Sequence, residues 1–163
     1  MNRRKFLCDF VGIATLLSSS TQAKSKNRFP DLMVYTEEGD ITLLNRYYKD
    51  RLLLNIWNSS CNPCIEDIPI LNSITLPIDI LGLYLTSEKD PKGIKEIKKT
   101  TPIGFPNVIL PYESYDILAE KYGSGMPKFF LVDKSGYLIH HQDGGLNYKY
   151  NLRKLEKAIR KNI

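Results

Sequence analysis

Two cysteines separated by two residues are the feature of this sequence with the clearest capacity for chemistry. They are Cys61 and Cys64, in the stretch W-N-S-S-C-N-P-C that starts at Trp57, and the only other cysteine of the chain is Cys8. This spacing is compatible with a metal site that needs further ligands, with a disulfide that fixes a turn, or with a redox dithiol that opens and closes during a reaction. The surrounding sequence has to distinguish these alternatives.

The flanking residues predict that the pair lies on a loop between a buried strand and a helix. Residues 51–57 are an almost uninterrupted apolar run, typical of a strand buried on both faces of a sheet. Residues 64–71 have a helical pattern, with Pro69 inside it. Cys61 would then lie near the helix N-terminus, where the helix dipole and free N–H groups lower the pKa of a thiol. Because a thiolate is the attacking species in disulfide exchange, this position favours a reversible redox switch.

An acidic residue close to the dithiol could take part in proton transfer. Asp67 is three residues after Cys64 and therefore on the same helix face, whereas Glu66 points away. A carboxylate beside a partly buried thiol can accept or return its proton. Alternatively, Asp67 only complements the helix dipole as an acid of the first turn. Position along the chain does not decide between these two roles.

Metal binding is the main alternative use of the two thiols. The pair supplies two ligands, and the only histidines of the chain are His140 and His141. Adjacent residues on a strand point to opposite faces, so the two histidines cannot easily reach one ion. We therefore predict no metal site. Copper handling by two thiolates and one histidine stays open as a second hypothesis.

The first 23 residues have the pattern of an export signal. Arg3, Arg4 and Lys5 precede a short apolar stretch at residues 10–17, and small residues end at Ala23. The apolar stretch is shorter than the ~20 residues that cross a bilayer. The paired arginines resemble the twin-arginine export pattern, and a general secretory signal is the alternative.

Export would place the mature protein in the periplasm. Residues 24–28 are then a linker and residues 29–163 the mature domain, while Cys8 is removed with the signal. The two remaining cysteines would meet an oxidising environment, in which disulfides persist.

Composition and charge limit the possible classes of protein. The chain has 163 residues, of which 42% are hydrophobic, and a formal net charge of +5. This length suits one domain with its own core, and the basic excess is too small to indicate nucleic-acid binding. Basic residues cluster at 92–99 and 149–161, which we interpret as solvated helix faces rather than as sites for an anionic membrane or an acidic partner.

The remaining elements follow from periodicity and turn residues. Strands and helices alternate along the chain and end in a hairpin followed by a helix, which predicts an α/β fold with a mixed sheet covered by helices on both faces. The predicted elements are two N-terminal strands around a turn at 38–40, a buried strand at 80–86, helices at 91–100 and 114–122, a hairpin at 128–140 with its turn at 133–136, and a C-terminal helix.

The order of these motifs resembles the exported thiol-disulfide oxidoreductases of the TlpA and ResA type, many of which serve cytochrome c maturation. The resemblance runs from Phe29 to the end and implies a thioredoxin-like fold with an N-terminal β-hairpin extension. Asn55 stands where ordinary thioredoxins keep a buried aspartate, which fits the TlpA side of the superfamily. The matching segments are Phe29-Pro-Asp, Leu-Leu-Asn55-Ile-Trp57, C-N-P-C, Asp67-Ile-Pro69 and residues 125–136.

The resemblance also implies roles for single residues. Cys61 would be the attacking cysteine and Cys64 the resolving one. Asp67 falls where ResA-type proteins keep a buried glutamate beside the cysteines. No cofactor other than the dithiol is implied.

Substrate contacts are likewise implied by the resemblance. Pro127 matches the cis-proline of the family, whose loop faces the dithiol and can bind an extended substrate chain as an added strand. Met126 would line the same contact, and Trp57 is a further candidate substrate contact.

The implied activity is the reduction of disulfides in exported proteins, such as the C-x-x-C-H segment of apocytochrome c. A membrane thiol donor would supply the electrons, and we expect a monomer with no nucleic-acid partner. An oxidant of the DsbA type is a less favoured alternative, because the residues between Cys64 and Pro127 read as strand, helix, extended segment and helix rather than as a large helical insert.

Overall fold

The computed structural model of the chain describes residues 27–87 and 92–161. The predicted export signal, residues 1–23, lies outside these ranges. The strands are β1 (Met33–Tyr35), β2 (Ile41–Leu43), β3 (Arg51–Trp57), β4 (Asp79–Thr86), β5 (Asn107–Pro111), β6 (Lys128–Asp133) and β7 (Leu138–Asp143). The α-helices are α1 (Asn62–Asn72), α2 (Lys92–Thr100), α3 (Tyr112–Tyr122) and α4 (Lys149–Lys161), and a 3-10 helix spans Leu44–Tyr47.

The seven strands of the described ranges join one mixed sheet, as the alternation of elements predicts. Their order is β2-β1-β5-β4-β3-β6-β7. The pairs β3–β4 and β4–β5 are parallel, whereas β6 runs antiparallel to β3 and β1 runs antiparallel to β5. The N-terminal strands β1 and β2 form an antiparallel pair at one edge. The α/β prediction is confirmed, and the segment predicted only as extended is the interior strand β5.

The core lies on both faces of the sheet because β3 is buried on both of its faces. Leu52, Leu54 and Ile56 pack in a cluster that includes Leu118 of α3. The alternate residues Leu53 and Trp57 pack in a second cluster with residues of the other helices, namely Cys64, Ile68 and Leu71 of α1, Ile94 of α2, and Leu155 and Ile159 of α4. A strand with helices on each side needs apolar residues at every position, which accounts for the continuous apolar run.

The end of the predicted linker is part of the folded structure. The C=O of Asn27 accepts a hydrogen bond from the Leu138 N–H at 2.8 Å, and Arg28 forms a β-bridge with Tyr137. These backbone bonds hold the two residues against the β6–β7 hairpin. Asn27 and Arg28, the last two residues of the predicted linker, therefore bond to the domain, and residues 24–26 lie outside the described ranges.

The two basic clusters of the sequence lie on helices α2 and α4. Each helix buries a narrow apolar stripe, formed in α4 by Leu155 and Ile159. The lysines and arginines of α4 are exposed, which is the arrangement expected of an amphipathic surface helix. Within the described ranges, no helix combines the length and the apolar character that a membrane span requires.

Candidate functional site

Cys61 and Cys64 form a disulfide at the start of α1. The two Sγ atoms are 2.04 Å apart and the Cα atoms 5.2 Å apart. Cys61 is the N-cap residue and is partly exposed, whereas Cys64 is fully buried. The Cys64 N–H donates to Cys61 Sγ at 3.3 Å. After reduction, an N–H group at a helix N-terminus would favour the thiolate form of Cys61, and only this sulfur is open to attack from outside.

A short turn leads from β3 into the dithiol. The side chain of Asn58 accepts hydrogen bonds from both the N–H and the hydroxyl of Ser60, at 3.0 and 2.9 Å. The Asn58 C=O accepts from the Cys61 N–H at 3.3 Å. Pro63 is the second residue of α1, where its missing N–H would have no intrahelical acceptor. These local bonds fix the direction in which the chain presents Cys61.

A glycine in α2 lets that helix approach the same turn. The hydroxyl of Ser59 lies 3.0 Å from that of Tyr84 in β4. A Cβ atom added to Gly93 would overlap the Tyr84 hydroxyl and would lie 3.0 Å from the Ser59 hydroxyl. The contact between α2 and the turn before the dithiol therefore requires glycine at this position.

The structure places Trp57 in the core and not on the substrate-facing surface. Its side chain is 0% exposed, its indole N–H donates to Asn107 Oδ1 at 3.0 Å, and its ring packs edge-on against Tyr84. The prediction of a substrate contact for Trp57 is therefore wrong. Its side chain lies on the face of the sheet that α1, α2 and α4 cover, although the residue is close to Cys61 along the chain.

Asp67 is a buried carboxyl group on α1. It is 0% exposed, and its Oδ1 accepts a hydrogen bond from the Leu146 N–H at 2.6 Å. Burial raises the pKa of Asp67 from 3.8 to about 6, although backbone hydrogen bonds from Leu146 and Asn147 act in the opposite direction. The first turn of α1 contains no acidic residue, so Asp67 is not an acid of the first helical turn. A carboxyl with this pKa can exchange protons near neutral pH.

Oδ2 of Asp67 and the side-chain amide of Asn55 are buried polar groups that lack a hydrogen-bond partner among the described residues. Asn55 is 0% exposed in β3, and its position between Leu53 and Trp57 directs it toward the α1 side of the sheet. Asn55 does not ionise. Among the described residues, Asp67 is the only acidic residue that is buried.

The segment between β7 and α4, residues 144–148, completes the site and was not predicted from the sequence. The Gly144 N–H donates to the Pro127 C=O at 3.0 Å. A Cβ added to Gly145 would lie 3.6 Å from Pro63 Cβ, and the next residue, Leu146, binds Asp67. This segment therefore connects the Pro127 loop to α1. Its only sequence signal is the glycine pair, which permits a tight turn.

Pro127 lies at the same end of the sheet as the dithiol. The Met126–Pro127 peptide bond is cis. In the antiparallel β3–β6 pair, Ile56 lies opposite Lys128, so Pro127, one residue before β6, lies at the end of the sheet where β3 leads into the dithiol turn. Pro127 is buried and Met126 is partly exposed. Among the described residues, none forms a hydrogen bond with the backbone of Met126.

The two histidines of β7 lie on opposite faces of the sheet. His141 stacks on Phe130 with a centroid distance of 4.7 Å, whereas Nε2 of His140 lies 3.3 Å from Gln142 Oε1. In the part of the chain that the structure describes, no group of three or more His, Cys, Asp or Glu side chains is arranged to hold a metal ion.

The chain is similar in sequence to known thiol-disulfide exchange proteins. No family model matches the chain. Thiol-disulfide oxidoreductase ResA from Geobacillus thermodenitrificans is 26% identical over 127 residues, which are 76% of this chain and 71% of that protein. The thiol:disulfide interchange protein DsbE from Vibrio cholerae is 28% identical over 98 residues, which are 59% of this chain and 51% of that protein.

Solved structures of related proteins share the fold. A putative DsbE from Chlorobium tepidum superposes with a TM-score of 0.68 at 20% identity, covering 83% of this chain and 95% of that one. StoA from Bacillus subtilis superposes with a TM-score of 0.55 at 20% identity, covering 79% and 96%. The order of elements around the two cysteines is thus one that thiol-disulfide exchange proteins use.

Proposed function

We propose that this chain, which is a thioredoxin-like thiol-disulfide oxidoreductase of the TlpA/ResA type, is exported to the periplasm and reduces disulfides in other exported proteins. The observation that carries the proposal is the asymmetry of the Cys61–Cys64 pair. One sulfur is partly exposed at a helix N-terminus and the other is fully buried behind it. This arrangement suits one attacking and one resolving thiol.

The reduced pair would transfer two electrons to a substrate disulfide in two exchanges. The Cys61 thiolate attacks one sulfur of the substrate, a mixed disulfide forms, and the other substrate sulfur leaves as a thiolate that takes up a proton. The Cys64 thiolate then attacks Cys61 Sγ, which releases the second substrate sulfur as a thiolate that takes up a proton, and the Cys61–Cys64 disulfide forms. The structure corresponds to this oxidised product.

We propose that the buried carboxylate of Asp67 accepts the proton that Cys64 must lose. Cys64 is enclosed by apolar side chains, and burial raises the pKa of a thiol. Asp67 is three residues further along α1, on the same face of the helix, and its pKa of about 6 lets it accept a proton at neutral pH.

The loop that contains Met126 and Pro127 would receive the substrate chain. The N–H and C=O groups of Met126 are not used by the described residues, and the side chain is partly exposed. Extended peptides bind by main-chain hydrogen bonds to such groups. We propose a disulfide in an extended segment, such as the C-x-x-C-H of apocytochrome c, as the substrate.

The direction of electron flow is tested by the redox potential. A reductant in an oxidising compartment needs a low potential, so we expect the Cys61–Cys64 couple to lie well below the ~−120 mV of DsbA and near the ~−270 mV of thioredoxin. Equilibration of the purified protein with thiol–disulfide buffers measures this value.

The redox state in cells provides the matching test of the donor. Acid-trapped, thiol-labelled protein should be largely reduced while its membrane donor is present and oxidised when the donor is removed. If the protein is oxidised in cells both with and without the donor, and its potential is near that of DsbA, it is a thiol oxidant and not a reductase.

A further inference from the structure

A buried lysine lies beside the loop to which we assign substrate binding. Lys128 is the first residue of β6 and follows the cis Met126–Pro127 bond. Its side chain is only 2% exposed. Lysine is seldom buried without partners, because removing an ammonium group from water is costly. None of the exchange steps uses this group.

The Lys128 ammonium joins β6 to both α3 and β7. Its Nζ donates to the C=O of Tyr122, the last residue of α3, at 3.0 Å, and to Asp143 Oδ1 at 2.6 Å. The last carbonyls of a helix lack intrahelical partners and form the negative end of its dipole, so a cation is favourable there.

The carboxylate of Asp143 is held in its charged form. Partial burial opposes ionisation of Asp143, but the hydrogen bond and the charge of Lys128 outweigh it, with a smaller contribution from His141, and the pKa of Asp143 is lower than usual. His141 Nε2 lies 3.1 Å from the same carboxylate oxygen. The buried ammonium is therefore matched by a charged partner.

Lys128 and Tyr122 are the residues on either side of the loop at 123–127. Gly123 and Gly125 adopt φ values of 78° and 121°, which other residues rarely reach, so the loop sequence is intrinsically flexible. The Tyr115 hydroxyl accepts a hydrogen bond from the Gly125 N–H at 2.8 Å. The bonds of Lys128 and of the Tyr115 hydroxyl thus restrain a loop that its glycines would leave flexible.

We propose that Lys128 is a positioning residue whose ammonium fixes the loop at 123–127 and so sets the position of Met126 and Pro127 for a protein substrate. This inference rests on the proposed function, since it takes that loop as the docking site. The ammonium acts through the loop and not on the sulfurs, so it affects substrate binding and not the intrinsic reactivity of the dithiol.

The substitution Lys128→Met tests this role because it keeps an unbranched stem of similar size and removes the charge. The reduced protein is mixed with an oxidised C-x-x-C-H peptide or with hydroxyethyl disulfide, a compound too small to span the loop. We expect the peptide concentration for half-saturation to rise roughly 10- to 100-fold. The rate with hydroxyethyl disulfide should stay within about twofold of the original.

Two further variants show whether the ammonium itself is responsible. Lys134→Met removes a lysine from the same hairpin whose side chain is 74% exposed, and it should leave both reactions unchanged. Lys128→Arg keeps the charge and donors and should recover part of the peptide affinity. If Lys134→Met weakened peptide binding as much as Lys128→Met, a general charge effect would replace our proposal.

Hydrogen exchange supplies a measurement that is independent of activity. Amides of residues 123–127 should exchange faster in Lys128→Met, while those of β3 keep their protection. If Lys128→Met does not fold, the double variant Lys128→Met/Asp143→Asn takes its place, since it removes the ammonium without leaving the Asp143 carboxylate unpaired. Unchanged half-saturation together with unchanged loop exchange in the folded variant would overturn the proposal.

The same experiment separates failure of this inference from failure of the proposed function. If the wild-type protein reduces hydroxyethyl disulfide but no peptide or protein disulfide, the proposed function fails, and hydrogen exchange alone decides whether Lys128 fixes the loop. If the wild type reduces the peptide and Lys128→Met does so with the same half-saturation and the same loop exchange, only the role of Lys128 is refuted.

Discussion

The substitution Asp67→Asn should change how the stability of the oxidised protein depends on pH. Burial raises the pKa of Asp67 from 3.8 to about 6. Below about pH 4 the carboxyl is protonated in both the folded and the unfolded chain. Between about pH 4 and pH 6 it ionises first in the unfolded chain, so wild-type stability decreases as the pH rises, and the loss is complete above the folded pKa. Asparagine does not ionise and escapes this loss.

The difference between the two pKa values corresponds to about 3 kcal/mol. Asparagine keeps the oxygen that accepts from the Leu146 N–H, but its new N–H₂ group is buried, at a cost of about 1 to 3 kcal/mol that does not depend on pH. We therefore compare the free energies of unfolding of variant and wild type at each pH, and use the change of their difference with pH. We expect that difference to move in favour of Asp67→Asn by about 2 to 3 kcal/mol between pH 4 and pH 8.

Denaturant unfolding of both proteins with the disulfide intact measures this quantity, since oxidised cysteines do not titrate. Glu66→Gln is the control for loss of a carboxylate at the neighbouring, exposed position, whose side chain accepts a hydrogen bond from Asn147. Because the charge of Glu66 adds slightly to the raised pKa of Asp67, this variant should keep the slope of the wild-type profile with a slightly smaller amplitude. Parallel stability profiles for wild type and Asp67→Asn would show that the carboxyl is not destabilised by burial, and our assignment of Asp67 as the proton acceptor would lose its physical basis.

Three other substitutions test single contacts. Trp57→Phe should lower the free energy of unfolding by about 1 to 2 kcal/mol, since the hydrogen bond to Asn107 is lost, and should leave the half-saturation for a peptide disulfide unchanged; a weaker peptide affinity at equal stability would restore Trp57 as a substrate contact. Gly93→Ala should destabilise the protein by about 1 to 3 kcal/mol because its Cβ would meet the Tyr84 hydroxyl, and an unchanged melting temperature would refute the close approach of α2. Ile68→Ala should cost about 2 to 5 kcal/mol, since Ile68 is 0% exposed in the core cluster that also contains Cys64; a cost below that range in denaturant unfolding would indicate a loosely packed α1.

The elements nearest the dithiol are the ones that the sequence predicts best. The apolar run of β3 and the helical pattern after Cys64 are local signals, and both elements appear where they are expected. The spacing of Cys64 and Asp67 correctly predicts that they share a helix face. The burial of Asp67 could not be predicted in this way, because it depends on Leu146, which is 79 residues away along the chain.

The incorrect and the missed residues have related physical causes. Trp57 is close to the motif in sequence, but helices cover the face of the sheet on which its side chain lies, and proximity along the chain does not imply a shared surface. The burial of Lys128 could not be predicted from the sequence, because lysine is exposed in most proteins. Its burial follows only from the meeting of α3, β6 and β7, which is a property of the tertiary structure.

The central claim is that Cys61 attacks substrate disulfides and Cys64 resolves the product. The most direct measurement is the site of the mixed disulfide formed when single-cysteine variants meet an oxidised C-x-x-C-H peptide near neutral pH. We predict that Cys64→Ser accumulates a peptide adduct through Cys61, located by mass spectrometry, and that Cys61→Ser forms little, because Cys64 is fully buried. Equal or faster adduct formation through Cys64, in protein that is still folded, would contradict the account.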